Sequence, residues 1–364
     1  MTGWREYEKN YTKQIILFGI SLIFMTGCLQ KSLIDDVQLI QGVVYDTTKD
    51  KIKATIVCPI QQKGHKVQVF ENIANTVKQG RENASFESSQ PFASGQLRVA
   101  LFTEKLAKKD ITVAYDTLLR DSSIGHSIYL GILEGNGYDL FSGKYQNNFN
   151  VAIYIKNLLE HNMETGSLPY DNLHYNSNRY YKVGQDNFLP ILKKQKDKIK
   201  IQGLALFNEE TYVGKLEPKE MFVFRGLLEK HRLNSQEFKS HGGYVLINNI
   251  RSTPSYHVRI KNGKPSFYIQ VKVDARLQEV SKRISLENKK NFEIITKNIE
   301  KQLNTDSKKL LKKLQNLNVD PLGLGSKFKQ HYKSFELKEW NKIYKTVPVK
   351  VKYIVNIENS GVVE

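Results

Sequence analysis

The stretch YHVRIKNGKPSFYIQVKVDA, residues 256–275, contains two runs of alternating apolar and polar side chains on either side of Asn262-Gly263. Alternation with a period of two is typical of a strand that buries one face. Asn-Gly supplies the two positive φ angles that a type I′ turn requires. The stretch therefore predicts a β-hairpin.

A long helix and a last strand are predicted after the hairpin. The helix extends from about Leu286 to Leu317 with apolar residues on one stripe, and Asp320-Pro321 ends it. Residues 346–359 alternate strictly again, so they predict a strand whose polar face is exposed or thinly covered. The apolar stripe of the helix consists of Phe292, Ile295, Ile299, Leu303, Leu310, Leu314 and Leu317.

The N-terminal half alternates predicted strands and helices. The spacing of Phe70, Ile73, Ala74 and Val77 predicts a helix over residues 69–83. Further strands are predicted within residues 37–46, 51–60, 97–102, 127–135 and on both sides of a turn at 208–210. Further helices are predicted after residue 102 and within 111–124, 148–162 and 217–232, whereas residues 162–187 are typical of a loop.

This order of elements predicts a mixed α/β or α+β fold of several small domains in series, each a mixed or antiparallel sheet with packed helices. We place a boundary near Pro190, where the lysine-rich segment ILKKQKDKIK follows. The predicted regions are residues 1–27 (leader), 28–190 (N-terminal region) and 191–364 (C-terminal region). A further division near residue 255 is left open.

The N-terminal segment IILFGISLIFMTGCLQKS, residues 15–32, carries no charge from Ile15 to Met25. As a helix this run is roughly 16 Å long, about half of a ~30 Å hydrocarbon core, so it is too short to span a membrane. The length of this run and the weakly positive net charge of the residues before it are typical of a signal peptide. The residues MTGC, 25–28, resemble the lipobox of bacterial lipoproteins, which predicts removal of residues 1–27 and lipidation of Cys28. A short uncleaved anchor, or a cleaved peptide with an incidental cysteine, stays open.

Composition narrows the classes of partner. The chain has 364 residues and a formal net charge of +18. A strongly basic chain invites a nucleic-acid function, but the leader implies export, and the lysines are not interleaved with aromatic residues. Anionic lipid is therefore the favoured partner of the basic surface, and nucleic acid is not. With Cys28 lipidated, Cys58 has no partner for an internal disulfide and is predicted to be a buried thiol.

No motif in the sequence predicts catalysis. The eight histidines form no metal-binding spacing, and His241-Gly242-Gly243 is most simply a turn. The segment GLGSK, residues 323–327, has the wrong order and context for a phosphate loop, and SSIGHS, residues 122–127, is not a nucleophile elbow. The sequence thus predicts no enzyme, no metal and no cofactor, although the carboxylates of Glu134, Glu217 and Asp274 could pair in space.

Several stretches, taken in order, resemble the Ger(x)C family, the lipoprotein C subunits of spore germinant receptors. Besides MTGC they include QPFASGQLRVALFTEKLAKKDI, TLLRDSSI, YLGILEG, FLPILKKQKDKIKIQGLALFNEETYVGKLE, VKVDARLQEV, LQNLNVDPLGLGSKFKQHYKSF and VPVKVKYIVNI, which span residues 25–357. DPLGLG in that context is the most specific of them. One departure is Leu29-Gln30, where the family commonly has Trp-Asp after the lipidated cysteine.

The resemblance implies a non-enzymatic germination lipoprotein on the outer face of the spore inner membrane. It would act with the A and B membrane subunits of the receptor, and Cys28 would carry diacylglycerol and an N-linked fatty acid such as palmitate. The resemblance assigns no ligand residues. Two other classes are alternatives: a substrate-binding lipoprotein of a nutrient transporter, which needs a cleft with convergent polar groups, and a wall-remodelling hydrolase lipoprotein, which needs paired carboxylates or a metal.

Overall fold

The computed structural model describes residues 36–60, 67–145, 150–240, 242–281 and 289–358. The predicted leader, Cys28 and His241 lie outside these residues. From Gln38 onward the chain groups into one compact unit by its internal contacts. No helix among the described segments is long and apolar enough to cross a membrane.

The strands and helices are numbered in chain order. The strands are β1 (Gln38–Leu39), β2 (Gly42–Thr48), β3 (Lys51–Pro59), β4 (Val67–Ala74), β5 (Phe92–Ala93), β6 (Val99–Thr103), β7 (Tyr129–Glu134), β8 (Phe188–Gln195), β9 (Lys198–Asn208), β10 (Thr211–Leu216), β11 (Ser235–Ser240), β12 (Gly243–Lys261), β13 (Lys264–Val280) and β14 (Val349–Glu358). The helices are α1 (Val77–Ser85), α2 (Glu104–Lys109), α3 (Thr112–Arg120), α4 (Gly137–Phe141), α5 (Val151–Glu164), α6 (Leu173–Tyr180), α7 (Met221–Leu228), α8 (Lys289–Leu317), α9 (Leu324–His331) and α10 (Leu337–Ile343).

An eight-stranded mixed sheet in the order β10-β9-β8-β7-β6-β2-β3-β4 forms the first half of the fold. Its four central strands are parallel, and β6 is buried at all five positions. Parallel strands are apolar on both sides because helices cover both faces. Accordingly Val43 of β2 packs in one hydrophobic cluster with Leu118 of α3, whereas Val44 packs in another with Ile155 of α5.

A four-stranded sheet in the order β11-β12-β13-β14 forms the second half. The predicted hairpin is confirmed as β12 and β13, and Asn262 and Gly263 take φ angles of 51° and 71° at its turn. The predicted long helix and last strand are α8 and β14, and β14 pairs in parallel with β13. As expected, β14 exposes its polar face and buries Tyr353, Val355 and Ile357.

Helix α8 also covers the free edge of β14. The Tyr353 N–H donates to Asn304 Oδ1 at 3.0 Å, and the Val355 N–H donates to Glu300 Oε1 at 2.9 Å. An unpaired strand edge is a template for pairing with another chain unless side chains or other elements cover it. These two bonds occupy the donors at the middle of β14, so strand addition there is disfavoured.

Two local predictions were wrong. Residues 67–74 form β4, in which Phe70 lies opposite Ile56, and the helix begins only at Val77, where the Thr76 side chain accepts from the Gln79 N–H. Pairing with β3 overrides the helical spacing, because strand propensity depends mainly on such tertiary neighbours. The predicted loop at 162–187 contains α6, whose first turn the Asn172 side chain caps.

The predicted boundary near Pro190 falls within β8. That strand pairs with β7 on one side and with β9 on the other, so the eight-stranded sheet contains residues from both sides of position 190. The division of the chain into regions stays a prediction. The fold class, a mixed α+β architecture with several sheets and helices in series, is observed.

Candidate functional site

Cys58 and His231 both lie in the hydrophobic core. Cys58 is fully buried, and burial raises the pKa of its thiol to about 12, so it is a poor nucleophile. His231 is also buried, and burial together with the nearby Arg225 charge lowers its pKa to about 4. It is therefore a neutral core histidine that packs against Phe222. Gly242 has a φ of 69° immediately before β12, as a turn residue would.

The three carboxylates that the sequence offers as candidates for pairing with one another each form an ion pair with a basic residue. Glu134 contacts Lys193 at 3.3 Å, and Asp274 contacts Arg251 at 3.1 Å. Glu217 contacts Lys215 at 3.2 Å. Within the described ranges, no group of three or more His, Cys, Asp or Glu side chains could hold a metal ion.

The motif DPLGLG, residues 320–325, forms a buried polar site with residues 184–187. We call residues 184–187 and 318–326 together the carboxylate junction. The Asp320 N–H donates to Asp186 Oδ2 at 2.5 Å, and the Asp186 N–H donates to the Asp320 carbonyl at 3.0 Å. Segments 134 positions apart are thus joined by reciprocal hydrogen bonds.

Glycines allow the two backbones of the carboxylate junction to meet. Gly184 has a φ of 80°, and a Cβ added to it would lie 2.6 Å from the carbonyl carbon of Gly325 and from the nitrogen of Ser326. The Ser326 N–H donates to the Gly184 carbonyl at 2.8 Å. Gly323, with a φ of 67°, precedes α9. Only glycine combines a positive φ with so close an approach.

The Asp320 carboxyl group is buried and caps α9. It accepts from the Leu324 N–H at 3.0 Å and from the Gly325 N–H at 2.7 Å. Burial raises its pKa to about 7 against the opposing effect of these two bonds, with a smaller contribution in the same direction from the Asp186 charge. Burial likewise raises the pKa of Asp186 to about 6. Both groups therefore change charge near neutral pH.

The carboxylate junction predicts a specific pH dependence of stability. A carboxyl group whose folded-state pKa lies above the ordinary value of 3.8 stabilises the fold below that value and loses this contribution as the pH rises through the folded-state pKa. We therefore expect the wild-type chain to lose stability relative to Asp320→Asn between about pH 4 and pH 7, at no more than about 1.4 kcal/mol per pH unit, and to lose no more above pH 7. Asp186 is present in both chains, so its titration does not enter the difference.

Denaturant unfolding of the two chains at several pH values measures this difference. Asp50→Asn, at an exposed carboxylate, controls for the substitution itself. The raised pKa of Asp320 would be contradicted if the difference in free energy of unfolding between wild type and Asp320→Asn stayed constant. It would also be contradicted if that difference grew in favour of wild type toward pH 8.

A tyrosine-lined cleft of about 520 Å³ lies beside the carboxylate junction. Apart from the density of tyrosines, no local sequence pattern predicts it. The buried Asp171 pairs with Arg179 at 2.6 Å, and the Arg179 guanidinium stacks over Phe188 at 4.1 Å. Tyr170 and Tyr175 are about half exposed and contact each other edge to face. The cleft is lined by Tyr170, Tyr175, Asn178, Arg179, Lys182, Gln185, Phe188, Leu228 and Glu229.

The stretch PFASGQLRVALF, residues 91–102, lies mainly in the core. Val99 to Phe102 are completely buried in the central strand β6, and Arg98 at its start contacts Gln96. The structural interpretation of this stretch, a buried strand, is therefore confirmed.

Two protein-family models together match nearly the whole length of the chain. Residues 30–194 match the family described as spore germination protein N-terminal domain, and residues 202–361 match spore germination B3/GerAC like, C-terminal. The chain is 31% identical over 358 residues to the spore germination protein GerQC of Bacillus cereus, covering 97% of this chain and all of that protein. The chain belongs to the GerAC-like spore germination family.

Two further proteins are similar to this chain over most of its length. The spore germination protein B3 of Bacillus subtilis (strain 168) is 23% identical over 98% of this chain and 99% of its own length. A crystal structure of the GerBC protein aligns with a TM-score of 0.56 at 20% identity and covers 87% of this chain and 97% of that one. This likeness supports the same fold.

Proposed function

We propose that this GerAC-like chain is the membrane-anchored C subunit of a nutrient germinant receptor and acts by contact with the A and B membrane subunits and the bilayer. The observation that carries the proposal is the end-to-end similarity to GerQC, with both family domains in order. Two observations agree with a subunit that does not catalyse a reaction. Cys58 and His231 lie in the core, and the candidate carboxylates form ion pairs with basic residues.

The anchor in this proposal is Cys28, the residue of the MTGC box. Each buried CH₂ of a fatty acid contributes about 0.8 kcal/mol, and a single myristoyl chain binds a bilayer only marginally and reversibly. Two or three acyl chains on Cys28 would therefore hold the protein on the outer face of the spore inner membrane for practical purposes permanently. Confinement to the membrane raises the effective concentration toward membrane subunits, so weak protein contacts suffice to assemble a complex.

A second candidate function is supported by the tyrosine-lined cleft. Its volume lies in the range of small-molecule sites, and it combines aromatic walls with charged groups. That combination is what a substrate-binding lipoprotein of a nutrient transporter needs. Calorimetric titration of the chain with amino acids and sugars separates the two candidates, because a transporter lipoprotein must bind its nutrient by itself.

The proposed function is tested by deleting the gene in a sporulating host and scoring germination nutrient by nutrient. We expect the response to one nutrient or nutrient mixture to be lost while the responses served by other receptors remain, and the intact gene to restore it. Unchanged germination with every nutrient would contradict a receptor function. Loss of nutrient uptake in growing cells would support the transporter candidate instead.

A further inference from the structure

No element within the described residues packs over the outward face of the four-stranded sheet. The inward residues Phe267, Ile269 and Val271 of β13 are buried in the same hydrophobic cluster as the apolar stripe of α8, whereas the alternating residues Tyr268 and Lys272 are exposed. The same alternation holds along β12 and β14. Helix α8 therefore covers one face of this sheet, and the opposite face meets solvent.

The charge of the outward face is predominantly positive. Its register places Lys350 and Lys352 of β14 beside Tyr268 and Gln270 of β13. Acidic residues are fewer than basic ones on this face and its rim. The basic residues are Arg232, Lys239, Arg251, Arg259, Lys261, Lys264, Lys272, Arg276, Lys350 and Lys352, and the acidic residues are Glu237, Asp274, Glu279 and Glu358.

Three arginines converge on a groove of about 640 Å³ in this face. Arg232, Arg251 and Arg276 line it, and the remaining lining residues are uncharged. The chain has eleven arginines among 55 basic residues, so three in one groove is a marked concentration. The uncharged lining residues are Leu233, Asn248, Ile250 and Gln278.

The local backbone explains how these arginines meet. The pairing of β12 with β13 shifts register between Leu246 and Ile247 and again between Asn249 and Arg251, and such bulges re-aim side chains. The segment that carries Arg232 is held against β12, because the Leu233 N–H donates to the Asn249 carbonyl at 2.9 Å. The groove is thus fixed by backbone hydrogen bonds on both sides.

No acidic side chain is among the described residues that line the groove. Arg251 pairs with Asp274 at 3.1 Å, whereas no ion pair within the described part of the chain engages Arg232 or Arg276. A guanidinium group presents donors in a planar fork that matches the oxygens of a phosphate group. The groove therefore has the donor set of a phosphate site.

We propose that the groove of Arg232, Arg251 and Arg276 binds the phosphate group of an anionic phospholipid, so that the outward sheet face lies on the bilayer surface. The proposal rests on the proposed function, which places the chain at a membrane. An anionic leaflet attracts basic protein segments, and each Lys or Arg near the membrane surface contributes to the binding free energy. The exposed large apolar residues on the described part of this face and its rim are Leu233, Tyr244, Tyr268 and Ile354, fewer than the basic residues, whereas protein interfaces centre on aromatic and apolar anchors.

Vesicle binding tests the proposal on the mature chain, residues 28–364, with Cys28→Ala so that no lipid anchor contributes. The double variant Arg232→Gln/Arg276→Gln removes the two unpaired arginines. We expect it to lower the partition coefficient onto vesicles of phosphatidylglycerol and phosphatidylcholine about 30-fold, because each basic residue at the surface contributes a factor of about five. Pure phosphatidylcholine vesicles should bind neither chain.

The matched control is Lys308→Gln/Lys312→Gln on α8, two exposed residues outside the outward face. It removes the same charge, and we expect it to change binding less than threefold. Circular dichroism verifies that each variant is folded. Equal losses in the two double variants, or no binding of the parent chain to anionic vesicles, would overturn the proposal while leaving the receptor function untouched.

Two further experiments distinguish a phospholipid from a soluble phosphate compound and from an acidic protein as the ligand of the groove. Inorganic phosphate carries the same phosphate group as the lipid, so at equal ionic strength it should displace the chain from vesicles more strongly than chloride does. Binding of inorganic phosphate that Arg232→Gln/Arg276→Gln abolishes, with no binding of the parent chain to anionic vesicles, would assign the groove to a soluble phosphate compound and overturn the lipid assignment. Tight, arginine-dependent binding of poly-glutamate without vesicle binding would overturn it in favour of an acidic protein partner.

Discussion

Cys28→Ala is expected to move the chain from the membrane fraction almost entirely into the soluble fraction and to abolish receptor-dependent germination. The expected effect is large because two or three acyl chains provide effectively irreversible attachment, whereas basic surface alone gives weaker, salt-sensitive binding. Ultracentrifugation of disrupted spores, followed by a high-salt wash and immunoblotting of both fractions, measures the change.

Cys58→Ala is the matched control, because Cys58 is the other cysteine of the chain and its thiol is buried. It should remain in the membrane fraction like the wild-type chain. Mass spectrometry of the N-terminal peptide supplies the independent readout. An unmodified thiol at position 28, or a leader still attached in the mature protein, would contradict the anchor.

Gly184→Ala is expected to lower the free energy of unfolding by about 2–4 kcal/mol. Part of the loss is the strain of a side chain at a φ of 80°, and the larger part is the contact of the new Cβ with the backbone of Gly325 and Ser326 at 2.6 Å. Because backbone atoms cannot rotate aside, the carboxylate junction must open to relieve the contact. Denaturant unfolding at fixed pH measures the loss.

Gly263→Ala separates strain from contact. Gly263 has a similar positive φ, of 71°, but the nearest atom to a Cβ there is the Tyr332 hydroxyl oxygen at 3.1 Å, and no backbone atom is among its near neighbours. Its variant should lose mainly the strain contribution, about 1 kcal/mol. Equal losses in the two variants would mean that the close approach at the carboxylate junction does not matter for stability.

The hairpin, the long helix and the last strand were predictable from sequence because each carries its own periodicity. Residues 256–275 needed no tertiary information, since the Asn262-Gly263 turn and strict alternation specify both strands. Residues 67–74 were not predictable in this way. Phe70, Ile73 and Ala74 fit a helical face as well, and only pairing with β3 makes them a strand.

The candidate site was predictable only in part. The motif at 320–325 was visible in the sequence, but its partner Asp186 lies 134 positions earlier and carries no local signal. The same holds for the arginine groove, because two register shifts and the backbone bond between Leu233 and Asn249 bring its residues together. Tertiary pairing of this kind leaves no trace in local spacing.

Co-purification from spore membranes tests the central claim most directly. The intact, affinity-tagged chain is cross-linked in isolated spore inner membranes, solubilised in mild detergent, and purified, and its partners are identified by mass spectrometry. The proposed function predicts that the A and B receptor subunits are recovered with the tagged chain and are absent from untagged membranes. Recovery of the chain without either subunit after cross-linking would contradict its assignment as a receptor subunit.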